Sequence, residues 1–347
     1  MSAFIPASEI LERQLAYVAD QHLLIAGEFS DDFALTLAQH SLSVSVFCTH
    51  FGHYQRLSQY PSLQCFFGTR IPAEIKPTQV ILYWPKAKAE AEMLFAMLMH
   101  HCGAGTEVIV VGENRSGVKS AEKMFAPYGK LTKFDSARRC SFYFGLCEQA
   151  PTEFNLNDWF KQYTVTLGEQ QISVQSLPGV FSHGSLDVGT ALLLNHLPNL
   201  QGRILDFGCG AGVIATLMKQ RYPTIDLVAA DVSAWAVAST QATLAANGLE
   251  GDVRATDVYS TFDKNTDAEK FDAIISNPPF HAGLKTFYRA SEQLIEQAPK
   301  YLTAQGQLLI VANSFLQYPP VYQASFGQCT TVAEGKGFRV YSNLSAE

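Results

Sequence analysis

"LDFGCGAG", residues 205 to 212, decides the fold. An apolar strand, Arg203-Ile204-Leu205-Asp206-Phe207, runs into glycines at 208, 210 and 212. A helix then begins with Val213, Ile214, Leu217 and Met218 on one face. Glycines let the chain turn tightly and let a ligand come close to the backbone, while the helix N-terminus offers unpaired N–H donors. A dinucleotide fingerprint needs glycine at 213, where Val213 stands, so the loop departs from the nicotinamide rule.

Downstream, "ISNPPFHAG", residues 275 to 283, stops a second buried strand, Phe271 to Ile275, with an asparagine ahead of two prolines. Proline ends strand and helix alike and holds the residue before it extended. In a doubly wound sheet the carboxyl ends of the central strands share one crevice, which brings Asn277 beside the glycine loop. Two further acids close strands in the same stretch of chain: Asp231 after Ile225 to Ala230, and Asp257 after Val253 to Thr256.

The rhythm is written twice. His22 to Ala26 turns at Gly27 as Arg203 to Phe207 turns at Gly208, and Val80 to Lys86 matches Ala273 to Pro279, pairing Trp84 with Asn277. Each is followed by a helical stretch, a glycine turn and an apolar strand, Glu107 to Val111 or Gln307 to Val311. A duplicated α/β domain follows, with residues 1–163 as one copy and 164–347 as the other. The first copy lacks the glycine-rich loop and has Trp84 for Asn277, so it reads as degenerate.

The 347 residues exceed what one hydrophobic core supports, and 47% hydrophobic against 16% charged leaves little room for long disorder. No apolar run approaches the ~20 residues that span a bilayer, and the first residues lack the basic and apolar regions of a signal peptide; a cytoplasmic protein is expected. Seven cysteines form no C-x-x-C pair and no metal-ligand cluster with histidine, so they read as reduced core residues and no metal is expected. Cys209 reads as a small loop residue rather than a nucleophile. The net charge of −7 excludes a generally basic coat. Residues 114 to 140 run against it, with Arg115, Lys119, Lys123, Lys130, Lys133, Arg138 and Arg139 opposing Glu122 and Asp135, a local balance of 7 − 2 = +5.

"LDFGCGAG" resembles the Asp-x-Gly-x-Gly-x-Gly loop of class I S-adenosylmethionine-dependent methyltransferases. That resemblance implies S-adenosylmethionine as cofactor, with Asp206 facing its methionine end and Gly208 and Gly210 letting the backbone pass it. It also implies Asp231 accepting from the ribose hydroxyls and Asp257 near the adenine amine. "FSHGSLDVGTALLL", residues 181 to 194, looks like the family's upstream cofactor segment, with Asp187, Gly189 and Thr190 at its turn.

Asn-Pro-Pro-Phe is similar to the motif of methyltransferases that modify planar exocyclic or amide nitrogens. Such a nitrogen is a poor nucleophile because its lone pair is delocalised. Acceptors aimed at its N–H groups favour a pyramidal geometry and stabilise the charge that develops. The Asn277 oxygen and the Pro278 carbonyl are the candidate pair, Asn277 also bordering the cofactor, and Phe280 would stack on the base for roughly 1–3 kcal/mol. His281 is given no catalytic role.

Over essentially its full length the chain resembles the bacterial ribosomal RNA small subunit methyltransferase C family. The resemblance implies two tandem Rossmann-like methyltransferase domains, each a mostly parallel seven-stranded sheet with helices on both faces. It implies methylation of the N2 of one guanine in 16S rRNA within the assembled 30S subunit, with the first copy holding RNA or supporting the second. No membrane partner is implied, and a monomer is allowed. The motif alone supplies only a planar nitrogen. A release-factor glutamine methyltransferase, a DNA adenine methyltransferase and a non-catalytic assembly factor stay open as alternatives.

Overall fold

Apolar runs that read as strands buried on both faces build two sheets of one topology. The computed structural model describes residues 4–181, 184–264, 267–278 and 285–344. The chain divides into two units, Met1–Trp159 and Phe160–Glu347. The division falls ahead of residue 163 because a strand starting at Lys161 already belongs to the second unit.

In the first unit the strands are β1 (His22–Gly27), β2 (Ser43–Cys48), β3 (Gln64–Phe67), β4 (Gln79–Tyr83), β5 (Glu107–Glu113), β6 (Gly129–Ala137) and β7 (Cys140–Cys147), in the order β3-β2-β1-β4-β5-β7-β6. The first five are parallel and β7 runs antiparallel between β5 and β6.

The second unit opens with a hairpin of β8 (Lys161–Leu167) and β9 (Gln170–Ser176). It continues with β10 (Arg203–Phe207), β11 (Asp226–Asp231), β12 (Asp252–Ala255), the short pair β13 (Asp263–Lys264) and β14 (Asp267–Ala268), β15 (Phe271–Ser276), β16 (Leu302–Asn313), β17 (Thr330–Gly335) and β18 (Phe338–Ser342). Its sheet order, β12-β11-β10-β15-β16-β18-β17, repeats the first. Each sheet is mostly parallel and seven-stranded with helices on both faces, as the resemblance implies.

The sheet faces correct one pairing. Ile204, Ala273 and Ile275 face the helices Val188–Asn195, Val213–Arg221 and Ala234–Ala246, whereas Leu23, Ile25, Ile81 and Tyr83 face the helices Pro6–Glu12, Phe33–Ala38 and Phe51–Leu57. Matching these faces through the strand registers sets Ile25 against Asp206, Cys48 against Asp231 and Tyr83 against Asn277. Trp84, paired with Asn277 by string matching, is one residue out. A one-residue slip moves every side chain to the opposite face of a sheet, and matched letters do not register the pleat.

The first unit therefore holds no acid and no amide at these three positions. Tyr83 is buried, its hydroxyl 3.0 Å from Ser8 Oγ, and the Phe29 ring, two residues past Gly27, lies 5.5 Å from the Tyr83 ring. Aromatic carbon occupies what corresponds to the crevice of the second unit.

Candidate active site

The strand order of the second unit reverses between β10 and β15, the switch point where α/β sheets bind ligands at the carboxyl ends of their strands. Phe207 pairs with Ser276, and Ser276 Oγ donates to the Phe207 carbonyl at 2.7 Å. Register thus sets Asn277 level with Gly208, the first residue of the glycine loop.

The loop is held from beneath by β11. The N–H groups of Gly208 and Cys209 both donate to the Ala230 carbonyl, at 2.8 and 3.0 Å. Gly208 (φ +75°) and Gly210 (φ +55°) are left-handed, and a Cβ at Gly208 would meet nothing within 4 Å. The open side of the loop is a backbone cradle that a side chain would fill.

Asp206 is fully buried under this cradle. Its Oδ2 accepts from the Ala215 N–H at 2.9 Å, while Oδ1 has no hydrogen-bond partner among the described residues. Burial, with Asp231 adding to it, pushes the Asp206 carboxyl up to about 7 against the pull of the Ala215 bond. A buried carboxylate oxygen with nothing to accept from fits a cationic ligand group.

Asp231 ends β11 beside it. Its Oδ2 accepts from the Gly210 N–H at 3.0 Å and Oδ1 from the Ser233 N–H at 2.9 Å, and burial raises its pKa despite those bonds. Asp257 is exposed past the end of β12, and no helix starts there for it to cap. Cys209 is buried, its Sγ lies 3.2 Å from Thr240 Oγ1, and its thiol pKa is raised well above the ordinary value by burial and the two aspartates. An un-ionised, enclosed thiol is inert.

The third component is the amide of Asn277. Its Nδ2 donates to Asp187 Oδ2 at 3.1 Å and to Thr190 Oγ1 at 2.8 Å. A carboxylate accepts only, so this contact fixes which end of the amide is nitrogen and turns Oδ1 away as an acceptor. Asp187 also caps the helix Val188–Asn195, its Oδ2 accepting from the Thr190 N–H at 2.9 Å.

The sequence-predicted residues thus gather in two groups, Asp206-Gly208-Gly210-Asp231 and Asp187-Thr190-Asn277. A Cβ at Gly189 would come within 3.0 Å of the Phe338 ring and 3.1 Å of Asp187 Oδ2. Pro278 is buried directly after Asn277. Phe280 and His281 lie outside the described residues.

Sequence reasoning missed a ladder on the helix Ala234–Ala246 and its C-cap. Ser239 Oγ accepts from the Leu177 N–H at 3.0 Å, Thr243 Oγ1 from the Gln175 N–H at 2.9 Å, and Asn247 Oδ1 from the Ser173 N–H at 2.9 Å. Thr243 and Asn247 also donate back to the carbonyls of Gln175 and Ser173. Polar side chains four residues apart form one helix stripe and meet alternate residues of an extended segment, so the helix acts as a neighbouring strand. Thr240 on the same helix donates to the Gly210 carbonyl at 3.0 Å. One helix therefore fixes both the glycine loop and the segment that leads into residues 178–190. The signal in the sequence was the i, i+4, i+8 spacing of 239, 243 and 247.

Among the described residues no group of three His, Cys, Asp or Glu could hold a metal ion, and no helix is long and apolar enough to cross a membrane. The cradle and the orphaned acid beneath it fit S-adenosylmethionine. Fold and site define a class I S-adenosylmethionine-dependent methyltransferase.

Comparison with known proteins narrows the class. The methyltransferase small domain family matches residues 171–342, and its N-terminal domain family matches residues 8–163. The chain is 55% identical to ribosomal RNA small subunit methyltransferase C of Aliivibrio salmonicida, over 96% of this chain and 97% of the relative. It is 52% identical to the protein of that name from Vibrio vulnificus, over 98% of this chain and 99% of the relative. The structure of the T. thermophilus 16S rRNA N2 G1207 methyltransferase, solved with AdoMet and guanosine, superposes with a TM-score of 0.85 at 21% identity, covering 97% of this chain and 91% of that one. The chain belongs to the ribosomal RNA small subunit methyltransferase C family.

Proposed function

We propose that the second unit transfers a methyl group from S-adenosylmethionine to the exocyclic N2 of one guanine in 16S rRNA, with the assembled 30S subunit, in the cytoplasm, as its substrate. The observation that carries this reading is the anchored amide of Asn277, whose nitrogen is committed to Asp187 and Thr190. When bound, S-adenosylmethionine supplies an electrophilic methyl on a sulfonium centre.

Asn277 Oδ1 and the Pro278 carbonyl accept from the two N–H groups of the guanine N2. Drawing both hydrogens to one side pulls the nitrogen out of the ring plane, directs its lone pair at the methyl, and offsets the positive charge that builds there. The cationic product then loses a proton to water, so the chain needs no general base of its own. When S-adenosylmethionine is bound, Asp206 would hold its cationic amino end, Gly208 and Gly210 would let it lie close to the backbone, Asp231 would accept from the ribose hydroxyls, and Asp257 would accept from the adenine amine. Asp187 and Thr190 serve this site through Asn277, and Phe280 is assigned the stacking face for the extruded base.

The test uses labelled S-adenosylmethionine with small subunits lacking the modification, beside naked rRNA, DNA and a release factor. Label on the small subunit that disappears with Asn277→Ala is the expected result. Label on the release factor or on DNA overturns the substrate, and no label anywhere despite cofactor binding overturns the activity.

A further inference from the structure

We propose that the β6–β7 turn of the first unit, Arg138-Arg139, together with Arg115 and Lys119, is a docking surface for the RNA phosphate backbone; this rests on the RNA reading above. All seven basic residues between 114 and 140 are exposed. Arg138 pairs with Glu9 at 3.1 Å and Arg115 with Glu113, while among the described residues Lys119, Lys123, Lys130, Lys133 and Arg139 have no carboxylate within ion-pair distance.

The turn is the informative part. Ala137 pairs with Cys140, so Arg138 and Arg139 are the two central residues of a tight hairpin, and both have positive φ, 51° and 61°. Such turns favour Asn-Gly, because a side chain with a Cβ meets the following carbonyl there. The second unit has the same turn. Gly335 pairs with Phe338 around Lys336-Gly337, with φ 52° and 82°. The matching bond from the next segment is present in both, the Asn114 N–H donating to the Arg139 carbonyl and the Ser314 N–H to the Gly337 carbonyl, each at 2.8 Å. Where the second unit has the unstrained glycine, the first has an arginine.

Protection of a sheet edge against stray pairing accounts for Lys130 and Lys133 on the edge strand β6. It does not account for the turn arginines, which lie beyond the ladder. The Asn114–Arg139 bond brings them to the segment that carries Arg115, with Lys119 in the turn that follows. Guanidinium groups bind phosphate through paired N–H donors that lysine lacks. Arg115, Lys119, Arg138 and Arg139 set against Glu113 and Glu9 leave 4 − 2 = +2 on this surface in a chain of net −7, a charge complementary to a polyanion.

The test separates a structural role from a binding one by sign. The double variant Arg138→Asn, Arg139→Gly restores the favoured turn, so the melting temperature holds or rises. Affinity for unmodified small subunits and for a 16S rRNA fragment falls at least about fivefold near 0.1 M salt, and the slope of log affinity against log salt shrinks by about 2. Arg138→Glu with Arg139→Glu weakens RNA binding further while S-adenosylmethionine affinity stays at the wild-type value. RNA affinity and salt slope unchanged in either folded variant overturn the proposal. Because RNA binding is read by itself, a wild-type chain that binds RNA yet methylates none defeats the proposed activity and leaves the docking surface standing.

Discussion

At residue scale, the candidate site holds two polar groups in states that water would not choose. Asn277 is an amide with its nitrogen end committed, so its oxygen is presented rather than left to rotate. Thr190→Val removes one of the two anchors with little change in volume. The expected outcome is a fall in kcat of roughly tenfold, about 1.4 kcal/mol in the barrier, with S-adenosylmethionine affinity little changed; steady-state kinetics beside calorimetric cofactor binding check it. Asp206 is the second such group. Its carboxyl is raised to about 7 in the folded protein from about 4 in the unfolded chain, so the native state holds the extra proton between those values. Stability of the ligand-free protein therefore declines as pH rises from about 4 to about 7 on account of this group, and Asp206→Asn gains on the wild type over that window. Cofactor binding has the opposite sign. The ionised form is the one that pairs with a cation, so S-adenosylmethionine affinity climbs by up to about tenfold per pH unit toward 7, and this rise is missing in Asp206→Asn.

At element scale, the helix Ala234–Ala246 with Asn247 at its end is the frame on which the site is assembled, because it bonds the glycine loop on one side and the extended segment Ser173 to Leu177 on the other. Asn247→Ala leaves both the N–H and the carbonyl of Ser173 without these partners. A loss of about 1–3 kcal/mol in urea unfolding of the second unit is expected, with amide exchange quickened in β9 before the central strands. Local spacing made the glycine loop, the strand stop at Asn277 and the alternation of strands and helices legible in the sequence. Contacts between Asn277 and Asp187, 90 residues apart, were not, since nothing in either segment names the other. The β8–β9 hairpin was legible but unread: Tyr163, Val165 and Leu167 alternate, Gly168-Glu169 turn, and Ile172 and Val174 alternate back. The misplaced partner of Asn277 arose in the same way, because the side of the sheet a residue faces is a property of strand pairing and not of the string.

At the scale of the whole molecule, duplication has left one topology with two fates. Asp206, Asp231 and Asn277 correspond to Ile25, Cys48 and Tyr83, and the first unit has neither carboxylate nor amide at these positions while keeping them buried. One S-adenosylmethionine per chain is the expected stoichiometry in calorimetry, abolished by disabling the second unit; two per chain would show that the first unit's crevice opens. The two sheets themselves followed from the repeated rhythm of the sequence, whereas the filling of the first crevice rested on Tyr83 and Phe29, which read in the sequence only as apolar residues.

The proposed activity puts a methyl group on a guanine N2 and depends on the amide oxygen of Asn277. Mass spectrometry of nucleosides released from unmodified small subunits, after incubation with S-adenosylmethionine and either the wild type or Asn277→Ala, tests it most directly. N2-methylguanosine is expected with the wild type and at least about a hundredfold less of it with the variant, at cofactor concentrations where calorimetry shows both to be saturated. N2-methylguanosine formed equally by Asn277→Ala, or a methyl group found on another atom, would contradict it.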